Sequence, residues 1–171
     1  MRKQRWLLGF LGFVLVLTAL YAWATGSAPT GAEIRTSVAP DATPHTYTPG
    51  ETVTIVSWNI HYGGGPTLAV GRGQTQAEVE GYLQAIADQI TAWDADIVAL
   101  QEVDHDAIRS YGIDQLDWLM EATGMPYGAW TTTWDARWVP SPGLNPKTQI
   151  GRVHSGQAIL SRFPLHDAIR H

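Results

Sequence analysis

An α/β domain behind an N-terminal apolar helix is the architecture this sequence predicts, and three observations carry it. Residues 53–56 lead into Ser57-Trp58-Asn59-Ile60-His61-Tyr62-Gly63, and Ile97-Val98-Ala99-Leu100 leads into Gln101-Glu102-Val103-Asp104. Both are short, unbroken apolar runs rich in β-branched residues and closed by Gly or polar residues, as buried strands of α/β domains are. Between them, residues 75–93 place Val79, Tyr82, Leu83, Ile86, Ile90 and Trp93 at helical spacing, with Glu78, Glu80, Gln84, Asp88 and Gln89 on the other face. Strand, amphipathic helix and strand make a βαβ unit, so the two strands are expected to be parallel.

The N-terminus reads Met1-Arg2-Lys3-Gln4-Arg5, followed by residues 6–24 without a charge. As a helix that stretch spans about 28 Å at ~1.5 Å per residue, close to the hydrocarbon thickness of a bilayer. Basic residues precede it and none follows before Arg35, which predicts an N-in orientation with the rest exported. Trp6, Tyr21 and Trp23 stand near its ends, as interfacial aromatics do. Two readings stay open. Residues 6–24 fit a retained anchor, while Ala22-Trp23-Ala24 fits a small-x-small signal-peptidase site. The first places the domain at the cell membrane on the extracytoplasmic side; the second makes it secreted or periplasmic.

Residues 25–51 shift to Ala, Ser, Thr, Pro and Gly, with Pro29, Pro40, Pro44 and Pro49. This composition buries little apolar surface and reads as a flexible tether. The domain is expected over residues 52–171. After the first strand, residues 63–66 open a loop. A second helix is expected at residues 113–122, with Leu116, Leu119 and Met120 inward and Gly124 as its C-terminal cap. A strand over residues 127–133 follows, then a long loop over 134–152 and a buried strand over 156–160.

Composition narrows the function. The formal net charge of -5 argues against a general electrostatic grip on nucleic acid, although a local basic groove stays compatible with it. No cysteine is present, so thiol nucleophiles, zinc-thiolate sites and disulfides are excluded. The eight tryptophans are expected to pack in the core and loops. Asn59 and Glu102 end parallel strands and so fall at one edge of the sheet, where a carboxylate holds a hard cation well. His61 shares a strand face with Asn59 if that strand continues. Asp104, His105 and Asp106 read as a solvated loop, with metal ligation as the alternative.

These two segments, with His154-Ser155-Gly156-Gln157-Ala158-Ile159-Leu160-Ser161-Arg162-Phe163-Pro164-Leu165, resemble the endonuclease/exonuclease/phosphatase superfamily. The resemblance implies a four-layer sandwich, two packed sheets flanked by helices, of which this chain carries the N-terminal part. It also implies hydrolysis of a phosphodiester or phosphomonoester with Mg²⁺ or Mn²⁺ as cofactor. Glu102 matches the metal-binding glutamate, and Asn59 matches the first-strand asparagine that orients the ligand or the phosphate. His61, Arg152 and His154 are candidate contacts to substrate phosphate. Arg162 is expected to fix the turn before Pro164. The loop with Trp134, Arg137, Trp138 and Lys147 is expected either to stack on a ligand or to cover the sheet edge. Nucleic acid, a phospholipid headgroup and a small phosphoester all suit these residues, and no obligate protein partner is evident.

The same resemblance implies an Asp-x-Asn pair and a late Asp-His pair. The sequence contains only Asn59 and Asn145 as asparagines and no Asp-x-Asn; Asp104-His105 directly follows Glu102. These parts of the site are therefore expected beyond His171, in a domain that is truncated here. A catalytically inactive, membrane-tethered binding or structural module is the alternative.

Overall fold

A computed structural model describes residues 2–25, 34–43, 45–66, 73–141, 145 and 149–170. The elements run α1 (Arg2–Thr25), β1 (Ile34–Val38), β2 (Ile55–Asn59), a 3-10 turn (His61–Gly63), α2 (Gln76–Ala92), β3 (Ile97–Asp104), a second 3-10 turn (Ile108–Ser110), α3 (Gln115–Thr123), β4 (Tyr127–Val139) and β5 (Gly151–Ser161). The strands form one mixed sheet in the order β1-β4-β5-β3-β2. β2 and β3 are parallel, as the intervening helix predicts, and the remaining pairs are antiparallel.

Local chemistry explains the helix ends. Thr75 caps α2 by accepting the Glu78 N–H, while the Glu78 carboxylate accepts the Thr75 N–H at 2.7 Å, a reciprocal capping box. Asp114 caps α3 by accepting the Asp117 N–H, and Gly124 ends it with φ +68°, where a side chain would be strained. Val79, Leu83, Ile86 and Ile90 of α2 and Leu116, Leu119 and Met120 of α3 are buried against Val98, Leu100, Val103, Ala158 and Leu160 of the sheet. Both helices thus cover one sheet face. The other face carries Ile55, Ala99, Gln101, Gln157 and Ile159, which keep some or much of their exposure. All described strands belong to one sheet, so the second sheet of the implied sandwich is not among them.

Three expectations need revision. Ile34–Val38 lies inside the span read as a tether, yet it forms the edge strand beside β4. Pro and Ser masked an alternation of β-branched and polar residues whose polar members find partners on α3. Arg35 pairs with Asp114 at 2.6 Å and Asp117 at 3.2 Å, and Ser37 donates to Asp117 at 3.0 Å. Burial opposes the Arg35 charge, but Asp114 and Asp117 outweigh it and raise its pKa. Next, both ends of the loop expected over 134–152 are strand, because β4 runs to Val139 and β5 begins at Gly151. Trp134, Arg137 and Trp138 therefore stand on β4, while Lys147, like Pro29 and Pro44, lies outside the described residues. Third, Asp104 belongs to β3 and is fully buried.

The tryptophans divide. Trp130 is buried, Trp58 and Trp118 pack against the core, and Trp134 and Trp138 are exposed on β4. Helix α1 is long and apolar enough to cross a membrane or to act as a signal, and none of its apolar window is buried.

Candidate active site

β3 would normally turn Glu102 inward, because Val98 and Leu100 face the core and residues two apart share a face. A β-bulge prevents this. Gln101 pairs with Gln157 and Val103 with the next partner, Gly156, so Glu102 is the extra residue. Its backbone takes φ +57°, a left-handed conformation that costs a non-glycine residue roughly 1–2 kcal/mol. Val103 fills the core position in its place, and Glu102 points into solvent.

Asn59 ends the neighbouring strand, and its side-chain amide donates to Glu102 Oε1 at 2.9 Å. The orientation of that amide is dictated chemically. The His61 main-chain N–H, 2.9 Å from Asn59 Oδ1, can only donate, so the Asn59 carbonyl must face it and the NH₂ must face Glu102. Both ends of Asn59 are thereby held. The chain turns immediately afterwards, with positive φ at His61 and Tyr62. His61 consequently lies in the 3-10 turn and does not continue a shared strand face with Asn59.

Beneath this exposed pair lies a buried polar knot that sequence reasoning missed. Gln115, fully buried at the first turn of α3, accepts the Asp104 N–H at 2.9 Å and donates to the Tyr62 carbonyl at 2.7 Å. It thus ties the segment two residues past Glu102 to the one three residues past Asn59. Arg109 makes a bidentate pair with Asp104, at 3.0 and 2.8 Å, and Ser110 donates to the same carboxylate at 2.8 Å. The Arg109 guanidinium also lies 3.7 Å from the centre of the Tyr62 ring. Burial raises the Tyr62 pKa, Arg109 opposes that, and the Glu102 and Asp104 charges add to it. A lone glutamine or arginine carries no sequence signal for such a role; only the contacts reveal it.

The other candidate residues are engaged elsewhere. Arg152 pairs with Asp135 and, at 3.7 Å, with Asp106. His154 is buried, lies 3.0 Å from Thr132 Oγ1 through Nε2, and meets the Trp130 ring edge-on at 5.0 Å. The loop expected to be solvated is only partly so: His105 sits 2.8 Å from Asp114, and Asp106 is exposed. Arg162 pairs with Asp94 at 2.6 Å and Asp96 at 3.3 Å, anchoring the turn after β5.

A mixed sheet with helices on one face defines the class, an α/β protein, and an exposed carboxylate–amide pair stands where its two parallel strands end. The sequence model of the Endonuclease/Exonuclease/phosphatase family matches residues 56–171, and the chain belongs to this family, whose members generally hydrolyse phosphoesters. No curated protein and no solved structure matches the chain.

Proposed function

We propose that this protein hydrolyses a phosphodiester or phosphomonoester outside the cytoplasm, using a divalent cation held by Glu102 beside Asn59. The observation that carries the reading is the 2.9 Å Asn59–Glu102 contact at the sheet edge, exposed and fixed by a strained bulge. Strain kept at an exposed residue suits a functional position.

The donor set fits Mg²⁺ or Mn²⁺. Among the described residues there is no group of three or more His, Asp, Glu or Cys side chains able to cage a metal. Mg²⁺ needs no such cage, since it commonly takes one or two carboxylates and completes its shell with water and substrate phosphate. When bound, the ion would polarise a phosphoryl oxygen and offset developing negative charge. The chain's own residues supply the positioning. Asn59 holds Glu102 in one orientation while adding no charge next to a phosphate. Gln115, Asp104 and Arg109 keep the two strand ends at fixed separation, so little reorganisation remains when substrate arrives.

Calorimetric titration of the protein with Mn²⁺, with hydrolysis of bis(p-nitrophenyl) phosphate measured in parallel, tests the reading. Glu102→Ala is expected to abolish binding, and Asn59→Ala to weaken it by about 10–100-fold, as loss of a ligand-orienting group does. Unchanged affinity in Glu102→Ala would sink it. Tight binding without turnover of any phosphoester would favour the inactive, membrane-tethered module.

A further inference from the structure

A single register row crosses the sheet. Ile34 lies beside Thr131, Thr131 beside Gln157, Gln157 beside Gln101, and Gln101 beside Asn59. The first residue of β1 therefore stands level with the candidate site, toward the same end of the strands although on the opposite edge strand. β1 then runs antiparallel to β4, from Thr131 back to Tyr127, away from that end. The chain arriving from α1 must reach the domain from the site side.

It has little length in which to do so. Eight residues, 26–33, separate Thr25 at the end of α1 from Ile34. At 3.3–3.6 Å per residue they reach at most roughly 30 Å. A tether running to residue 51 would have let the domain tumble freely; β1 shortens it and gives it a direction. If α1 spans the bilayer with its N-terminus inside, Thr25 lies at the outer interface and the site edge is the membrane-proximal one.

The side chains on that edge suit the position. β4 continues past the row from Thr132 to Val139, carrying Trp134 at 42% exposure and Trp138 at 41%. Ile108 and Tyr111, at 39% and 36%, stand on the loop that follows β3. Arg137 is exposed between the two tryptophans and donates to the Trp23 carbonyl in the last turn of α1 at 3.4 Å. Exposed tryptophans with a nearby cation belong at the headgroup level of a bilayer with anionic lipid. At the opposite end stand exposed Glu121 and Asp94, the latter paired with Arg162, while the exposed carboxylates at the site end include Glu102 and Asp106.

We propose that this edge docks on the outer surface of the membrane crossed by α1, so that the Asn59–Glu102 site opens on the headgroup layer and acts on a phospholipid headgroup phosphoester. The proposal rests on the phosphoester-hydrolase reading above and names its substrate class. In the reaction the oxygen of water forms a new P–O bond and the P–O bond to the leaving alcohol breaks. One water proton ends on the leaving oxygen; the other goes to solvent or stays on the phosphate, according to its ionisation.

Because the chain has no cysteine, single labels can be placed cleanly. The full chain carrying Trp138→Cys or Glu121→Cys is labelled with bimane and reconstituted in vesicles of phosphatidylcholine and phosphatidylglycerol. Quenching by brominated phosphatidylcholine is then read for each label. In parallel, the unlabelled full-length protein purified from its native source is assayed with Mg²⁺ for headgroup release from phosphatidylglycerol and for cleavage of a single-stranded oligonucleotide. The expected result is several-fold stronger quenching at position 138 than at 121, with lipid turned over faster than oligonucleotide. Equal quenching at the two positions, or loss of residues 1–24 from the native protein, overturns the orientation. Quenching at 138 with turnover of oligonucleotide alone overturns the lipid assignment. Quenching at 138 with neither substrate consumed overturns the hydrolase reading and supports the docking by itself.

Discussion

Glu102 and Asp104 stand two residues apart on one strand and lead opposite lives. Glu102 projects into solvent from a bulge at φ +57° and accepts a hydrogen bond from the Asn59 amide. Asp104 is fully buried, chelated by Arg109 and Ser110. One carboxylate is kept free at a cost in backbone strain; the other is neutralised and becomes part of the frame. The difference teaches that the acidic run Glu-Val-Asp is not a metal cluster. It is one solvent-facing carboxylate and one strut, and the bulge between Gln101 and Val103 sorts them.

The comparison can be broken most forcefully at the strut. Arg109→Met leaves Asp104 as an uncompensated buried charge and is expected to cost roughly 3–5 kcal/mol in urea unfolding. A loss below about 1 kcal/mol would show that the pair behaves as a surface bridge. Opposite the bulge, Gly156 has no room for a side chain, since a Cβ there would stand 2.0 Å from the Thr131 carbonyl oxygen. Gly156→Ala should therefore lower stability by about 3 kcal/mol and disturb cation binding through the displaced bulge. A variant with parent-like unfolding would mean that β4 and β5 separate more easily than their pairing suggests.

Gln115→Leu keeps the volume of the knot but strands the Asp104 N–H and the Tyr62 carbonyl, at roughly 1–3 kcal/mol for each unsatisfied group. Cation affinity should fall with it, as read by Mn²⁺ titration of the folded variant; an unaffected affinity would separate the knot from the site. At the ligand itself the order reverses. Glu102→Gly should unfold at higher urea than Glu102→Ala by roughly 1 kcal/mol, because glycine alone escapes the left-handed penalty. Both should have lost the cation.

The smallest effect concerns the capping box, far from either carboxylate. The Glu78 pKa is lowered by the Thr75 backbone N–H, then by the Thr75 hydroxyl. A depressed carboxylate stabilises the fold above its unfolded pKa, and that contribution is lost as pH falls through the folded value. Glu78→Gln should remove this acid-side slope, seen as a slightly flatter stability profile below the ordinary glutamate pKa. An unchanged profile would assign the acid sensitivity to other carboxylates.

Much of this molecule was legible from one dimension. The parallel β2–β3 pair, the span of α2, α3 closed by Gly124, and the meeting of Asn59 with Glu102 all follow from periodicity, a C-terminal cap and the handedness of a βαβ unit. Such features are local, or depend on one short connection. The failures share the opposite character. Ile34–Val38 reads as tether because its reasons for being a strand, Asp114, Asp117 and the edge of β4, lie about 80–100 residues downstream. For His154 and Arg152, read by type as candidate phosphate contacts, the structure adds partners that no local pattern shows: Thr132, Asp135 and Asp106 engage them across strand pairs and loops.

By itself, then, the sequence determined which elements form, which two polar residues end the parallel strands, and that an apolar helix precedes them, since all three rest on near-neighbour chemistry. The tertiary structure alone decided which carboxylate faces solvent, which amide ties the strand ends together, and that the incoming chain enters level with the site. Those outcomes depend on register, and register is a property of strands paired across the fold, where one extra residue in a ladder turns a side chain from core to water.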